Sequence, residues 1–122
     1  MEILNIDQHI KFDNPNPEQR YMQEIITEKH NAGKLGGISV IIPPGGDVSY
    51  HYHKERESLI IIINGEATET VEGKEFPIRA NDILFIPAGE KHGIKNSAEK
   101  ELRFIEFFTN PPVMADRIDV NN

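Results

Sequence analysis

The stretch SYHYHKERESLIIIINGE, residues 49–66, carries the strongest indications of both fold and chemistry in this chain. It sets His51 and His53 one residue apart, ahead of the apolar run 59–63. A run rich in isoleucine predicts a strand, and side chains two apart in a strand share one face, with Cα atoms about 6.6 Å apart. The two imidazoles can therefore converge on one ion. An isolated His-X-His pattern is, by itself, weak evidence for a metal site.

Turn signals divide the rest of the chain into short strands. The β-branched run 38–42 is closed by two prolines and two glycines. The Asn-Gly pair at 64–65 and the Glu-Gly pair at 72–73 predict hairpin turns. Residues 82–96 and 101–108 supply two further apolar runs. Strands at this spacing predict an all-β chain folded as a small antiparallel β-barrel, which leaves few exposed edges.

Residues 17–33 carry conflicting local signals. Asn16 as a cap, Pro17 at the first helical position and Gly33 as a terminator favour a helix. The β-branched content of MQEIIT, residues 22–27, suits a strand instead. Local signals favour the helix slightly.

Length, charge and composition restrict the classes of function. A chain of 122 residues predicts one domain that can bury about two thirds of its unfolded surface. Thirteen basic and 20 acidic residues give a net charge of −7 without a basic run, so we expect no nucleic-acid partner and no membrane partner. The absence of cysteine and of a long apolar segment predicts a soluble, cytoplasmic protein.

Two groups of residues have the order and spacing of sequence motifs. The first follows the order glycine, five residues, His-X-His, and a later glycine, and it is matched by Gly45, His51, His53 and Gly65. The same order includes a glutamate three or four residues after the second histidine and six residues before the last glycine.

The second group follows the order Pro-X-Gly, two residues, histidine, three residues, asparagine. Pro87, Gly89, His92 and Asn96 match it in full. Asn81 stands where the pattern begins with glycine, and asparagine is the next most tolerant residue of a left-handed turn.

In order and spacing, these two motifs resemble those of the cupin family. They cover about two fifths of the chain, and the flanking strands extend the likeness. The resemblance implies a double-stranded β-helix, or jelly-roll, barrel in a single domain, with a strand rather than a helix at 21–29. We place residues 1–35 in an N-terminal arm with the first strand or strands, 36–110 in the barrel core, and 111–122 in a C-terminal tail that folds back as an arm.

The resemblance also implies a divalent metal held by His51, His53, His92 and a glutamate. Counting from His53 gives Glu57 as that glutamate, whereas counting back from Gly65 gives Ser58. Strand parity turns Ser58 inward with Ile60 and Ile62, so Glu57 reaches the metal only across a β-bulge. Both arrangements stay open: four ligands including Glu57, or three histidines and water with Ser58 beside them.

Metal identity and reaction do not follow from these residues. Three imidazoles suit Fe, Mn, Ni, Zn or Cu. Among cupins, three-histidine centres are associated with thiol and diketone dioxygenases. Centres of three histidines and one glutamate are associated with oxidases, dioxygenases, decarboxylases and isomerases. Glu106 shares strand parity with Leu102 and Phe104, so it can point into the barrel and serve as an acid or base.

Two classes of function are left. We favour a metal-dependent enzyme, of dioxygenase, isomerase or decarboxylase type, on a small polar or carbonyl-containing molecule. The alternative is a non-catalytic module that binds a small ligand. Because the isoleucine run is apolar on both faces, we also expect a second subunit to cover its outer face as a homodimer.

Overall fold

In the computed structural model, residues 1–10 and 13–120 are described. Residues 121 and 122, part of the predicted C-terminal tail, lie outside them. Two five-stranded antiparallel sheets contain the strands of the described ranges. The strands in chain order are β1 (Tyr21–Ile26), β2 (Leu35–Ile42), β3 (Asp47–His53), β4 (Ser58–Asn64), β5 (Glu66–Val71), β6 (Lys74–Arg79), β7 (Ile83–Ile86), β8 (His92–Lys95), β9 (Leu102–Thr109) and β10 (Arg117–Asp119).

The two sheets face each other as the walls of a barrel. The first has the strand order β1-β2-β9-β4-β7, and the second has the order β10-β3-β8-β5-β6. This arrangement confirms the predicted all-β, jelly-roll fold.

Helices are minor elements: α1 spans Ile6–Ile10, and one turn of 3-10 helix spans Glu28–His30. Across residues 1–10 and 13–120, no helix is both long and apolar enough to cross a membrane.

The core lies between the sheets and is built by alternate residues of the strands. Strand β4 shows the pattern most clearly, since Ser58, Ile60 and Ile62 are buried while Leu59 is exposed. This is the parity predicted from the sequence. The buried apolar side chains of this core are Ile38, Val40, Ile42, Ile60, Ile62, Ile78, Ile86, Ile94, Leu102, Phe104 and Phe108.

The Asn-Gly pair at 64–65 does not form the predicted hairpin, so that prediction is wrong. Strand β4, before it, belongs to the first sheet, and β5, after it, belongs to the second. Gly65 has φ +90°, and a Cβ at this position would collide with the carbonyl oxygen of Glu101. The glycine is therefore required by a close backbone approach at a corner between sheets, and not by a two-residue turn.

The hairpin predicted at 72–73 is present. Val71 of β5 pairs with Lys74 of β6, and the two residues between them have φ values of +47° and +79°. Both central residues with positive φ are typical of a type I′ turn.

Two asparagines of the second motif have distinct structural roles. Asn81 has φ +78°, the left-handed conformation that was predicted where the motif has glycine. Asn96 is fully buried, and its amide donates to the carbonyl oxygens of Ile42 at 3.0 Å and Lys100 at 2.9 Å. Asn96 thus fastens the turn after β8 to the end of β2.

The two terminal regions add strands to the barrel. Residues 21–26 form β1, so the strand implied by the resemblance is confirmed there and the helix favoured by local signals is wrong. The strand ends at Ile26, and a 3-10 turn over Glu28–His30 overlaps the end of the segment 21–29. The C-terminal tail folds back as predicted, because β10 pairs with β3 and places Arg117 opposite His53.

The outer face of the first sheet is apolar at its β7 edge. Leu59 pairs with Phe85 on one side and with Phe107 on the other. The exposed fractions are 38% for Leu59, 58% for Phe85 and 36% for Phe107, and neighbouring Ile83 is 66% exposed. These side chains form the outer apolar face, defined by Leu59, Ile83, Phe85 and Phe107.

Candidate metal centre

Three histidines meet inside the barrel on two neighbouring strands. His51 and His53 project from the same face of β3, and His51 pairs directly with His92 of β8. The ring centroid of His51 lies 5.0 Å from that of His53 and 4.3 Å from that of His92. All three side chains are buried, and one ring nitrogen of each lies within 4.8 Å of the others. The structure therefore brings together the three histidines that the sequence predicted.

Backbone carbonyls determine the tautomer of each ring. The Nδ1 atoms of His51, His53 and His92 donate to the carbonyl oxygens of Ser49 (2.6 Å), Asp116 (3.0 Å) and Glu90 (3.0 Å). A carbonyl oxygen can only accept, so each Nδ1 carries the proton and each Nε2 keeps its lone pair. Histidine metal ligands are commonly oriented by a hydrogen bond of this kind at the other nitrogen.

Burial keeps the three imidazoles uncharged. Loss of solvation lowers the pKa of His51 from 6.5 to about 3 and that of His53 to about 4. The same cause lowers the pKa of His92. Neutral imidazoles with free Nε2 atoms are the form that binds a metal, so these residues fit a divalent ion.

The structure does not bring Glu57 into this group. Its side chain is exposed at the end of the loop before β4, and its backbone amide donates to the Thr109 hydroxyl at 2.9 Å. Ser58, the next residue, is 3% exposed and points into the barrel. Within residues 1–10 and 13–120, the metal-ligating group contains the three histidines alone.

Glu106 lines the same cavity as the three histidines, as its strand parity predicted. It lies on β9 between Ile38 and Ile60 of the flanking strands. Burial raises the pKa of Glu106, while the charges of Arg56 and Arg117 oppose the rise. A carboxyl group whose pKa is raised is suited to donate as well as accept a proton.

Arg56 is a cavity-lining residue that the sequence reasoning missed. It stands in the charged run HKERE, residues 53–57, a composition that predicts a solvated loop, but Arg56 is only 3% exposed. Its guanidinium donates to the carbonyl oxygens of Val113 (2.9 Å) and Pro112 (2.9 Å) and lies 4.3 Å from the centroid of the Phe108 ring. These carbonyl acceptors lie 57 and 56 residues from Arg56 in the sequence, so no local sequence pattern indicates them.

Glu69 was also missed. It is 3% exposed in β5, and neither carboxylate oxygen has a hydrogen-bond partner among the described residues. Burial, followed by the nearby charges of Glu106 and Glu90, raises the pKa of Glu69 from 4.5 to about 8. The alternation of ATETV, residues 67–71, could have indicated this position, because it puts Glu69 on the same face as Ala67 and Val71.

Comparison with known proteins gives one family match and several similar chains. The family model described as "Cupin domain" matches residues 38–108. An oxalate-binding protein of Thermotoga maritima is 34% identical over 76 residues, which cover 62% of this chain and 62% of that protein. The match therefore spans less than two thirds of that relative's length.

Two solved structures illustrate the likeness of fold. A predicted oxalate decarboxylase from Thermotoga maritima superposes with a TM-score of 0.68 at 28% identity, over 75% of this chain and 81% of that one. A double-stranded β-helix protein from Klebsiella pneumoniae superposes with a TM-score of 0.79 over 100% of this chain and 99% of that one. Its identity of 19% is evidence of the fold alone.

The buried carboxyl of Glu69 predicts a specific dependence of stability on pH. Its pKa is raised in the folded state, so the folded protein keeps a proton that the unfolded chain releases between pH 4.5 and about 8. The free energy of unfolding should therefore fall as the pH rises through this window. Glu69→Gln should reduce the difference in unfolding free energy between pH 5 and pH 8 by about 3 kcal/mol.

Urea unfolding of the metal-free protein at the two pH values measures this difference. Glu66→Gln, an exposed position on the same strand, is the matched control and should leave it unchanged. The assignment fails if Glu69→Gln and the parent protein lose the same stability between pH 5 and pH 8.

Proposed function

This chain belongs to the cupin family, and on that premise we propose that it is a metal-dependent enzyme acting on a small polar or carbonyl-containing molecule. One observation carries the proposal: three buried, neutral imidazoles present their Nε2 lone pairs to one point in the barrel. A bound divalent ion would supply Lewis-acid or oxygen-binding chemistry at open coordination positions.

The protein's own residues have separable roles in this proposal. His51, His53 and His92 hold the ion. Glu106 accepts or donates a proton at its carboxylate. The apolar side chains around the cavity exclude water and thereby strengthen electrostatic interactions within it.

The nitrogen donor set restricts the choice of metal without fixing it. Three neutral imidazoles leave the full charge of the ion in place and suit Fe, Mn, Ni, Zn or Cu. A carboxylate ligand would lower that charge and favour a harder ion. The exposed position of Glu57 supports the three-histidine set.

A second candidate function is a non-catalytic module that binds a small ligand. The observation that favours it is the relative at 34% identity, which is described as an oxalate-binding protein and not by a reaction. In such a module the ion would order the ligand, and Glu106 would have no proton to transfer.

The metal ligands can be tested by elemental analysis of protein purified without added metal. We expect about one divalent ion per chain in the parent protein. His51→Ala should reduce this to about a tenth or less, because two histidines are left to hold the ion. Glu57→Ala should retain full occupancy, as should His30→Asn, which alters a histidine on the 3-10 helix outside the cavity.

Occupancy should also be nearly constant between pH 7 and pH 5. The pKa values of about 3 and 4 for His51 and His53 mean that protons do not compete with the metal in this range. A parent protein that takes up no divalent ion, even after reconstitution, would sink the enzyme proposal. Loss of metal in Glu57→Ala would return Glu57 to the ligand set.

Turnover separates the enzyme from the binding module. The metal-loaded protein is incubated with small 2-oxo acids, hydroxy acids and diketones, with and without oxygen, and the mixtures are followed by proton NMR. We expect at least one compound to be converted. Glu106→Gln should slow that conversion by about 100-fold or more while the metal content is unchanged, because a general acid or base contributes at least that factor.

Glu57→Gln, an exposed carboxylate at the neighbouring strand end, is the control and should keep the parent rate. Compounds that bind to the parent protein and are recovered unchanged under all conditions would favour the binding module. An unchanged rate in Glu106→Gln would remove Glu106 from the reaction.

We further propose that a second copy of this chain covers the outer apolar face. That face continues over three neighbouring strands, since Leu59 lies between Phe85 and Phe107 in the register. It ends at β7, which is the edge strand of its sheet. An apolar face can pack against its own copy about a two-fold axis, and a homodimer would remove it from water.

Analytical ultracentrifugation tests the dimer. The parent protein should sediment at twice the mass of the chain, and Phe85→Lys should sediment as the monomer because a charge is placed in the apolar contact. Phe76→Lys is the matched control, since Phe76 is 48% exposed on the other sheet, and it should remain dimeric. A monomeric parent protein at micromolar concentration contradicts the proposal.

A further inference from the structure

We propose that the cavity beside the three histidines selects a small carboxylate anion with a short apolar remainder, and that Arg117 and Arg56 supply the selection. This inference names the substrate class of the proposed function and rests on it. The cavity has a volume of about 280 Å³ and lies between the two sheets, next to His51, His53 and His92. This volume is close to the lower end of the range of volumes for small-molecule pockets.

The charge of the cavity opposes the charge of the chain. The protein as a whole carries −7, yet three arginines line this cavity, namely Arg20, Arg56 and Arg117. Among the described residues of the lining, Glu106 alone is acidic, and burial raises the pKa of its carboxyl group. A cationic cavity in an acidic protein favours an anionic ligand.

Arg56 provides a fixed positive charge at the wall of the cavity. Its Nη atoms donate to backbone carbonyls of the segment 110–115, so its position is set by main-chain dipoles. Its Nε is buried and has no hydrogen-bond acceptor in the described part of the chain. A buried N–H without an acceptor is costly, and an anion in the cavity is one group that could satisfy it.

Arg117 brings a second guanidinium to the same wall. It pairs with His53 in the register of β10 and β3, so the two side chains leave the sheet on the same face. Its Nη2 donates to the Ser49 hydroxyl at 2.8 Å, and its Nε donates to the Asp119 carboxylate at 3.0 Å. The Asp119 side chain is 66% exposed, so this ion pair is largely screened by solvent.

The remaining walls are apolar and set the shape of the ligand. Phe104, Val113 and Met114 are among the residues that enclose the cavity away from the histidines. Such walls accept a short hydrocarbon group and disfavour a fully hydrated ion. The planar guanidinium group of arginine matches the geometry of a carboxylate, and the carboxylate oxygens can also bind a divalent ion. A carboxylate with an apolar remainder fits these walls better than inorganic phosphate does.

Isothermal titration calorimetry on the metal-loaded protein tests the inference with three probes: 2-oxobutanoate, its uncharged amide and inorganic phosphate. We expect the acid to bind about tenfold or more tightly than the amide, the ratio expected for a hydrogen bond to a charged group. Arg117→Gln should reduce this ratio to near one. Arg79→Gln, an exposed arginine outside the cavity, should leave it unchanged.

Equal affinities for the acid and the amide in the parent protein would overturn the inference, as would tighter binding of phosphate than of 2-oxobutanoate. The comparison of acid and amide needs no variant, so it stands even if Arg117→Gln fails to fold. Elemental analysis of the same samples separates the two proposals. Bound metal without a preference for the acid refutes this inference alone, whereas a preference for the acid in a chain that binds no metal refutes the metal centre alone.

Discussion

Three hydrogen bonds from imidazole Nδ1 atoms to backbone carbonyls are the constraint on which the candidate site depends. Without them, each buried ring could turn or change its tautomer, and its Nε2 lone pair would have no fixed direction. The acceptors of His51 and His92 lie two residues before them in the chain, so strand and turn geometry provides them locally. Burial then keeps the rings neutral, which removes the repulsion that three imidazolium ions would suffer at this distance.

The acceptor of His53 is different, since it belongs to Asp116, 63 residues away. The carboxylate of Asp116 also accepts hydrogen bonds from the backbone amides of Lys54, Glu55 and Arg56. Arg56 in turn donates to the carbonyls of the segment that leads to Asp116. The loop after His53 and the C-terminal arm therefore order each other, and the third imidazole is oriented only when the arm is docked. Metal binding at His53 would therefore be coupled to docking of the arm.

Strand parity explains how much of this could be predicted from the sequence. A period of two residues puts His51, His53, Ser58 and Glu106 inside the barrel, and the structure agrees at each position. The glycine signal at 65 was misread because positive φ is equally required in a hairpin and in a corner between sheets. The prediction for Arg56 failed for another reason. A charged side chain in a loop is expected to be solvated unless backbone carbonyls accept hydrogen bonds from it. The carbonyls that bind Arg56 are too distant in the sequence to be indicated by a local pattern.

The ionisable groups inside the barrel explain why its interior is not simply a hydrophobic core. Replacing Glu69 by an apolar residue would remove two unpaired oxygens from a buried site, so the folded state gains nothing from keeping it. Burial also raises the pKa of Glu106, which lines the cavity with the histidines. Because the three imidazoles, Glu106, Arg56 and Arg117 line one cavity, a small anion or a metal ion bound there would change their protonation equilibria. The stability lost to these groups is better explained by chemistry in the cavity than by packing.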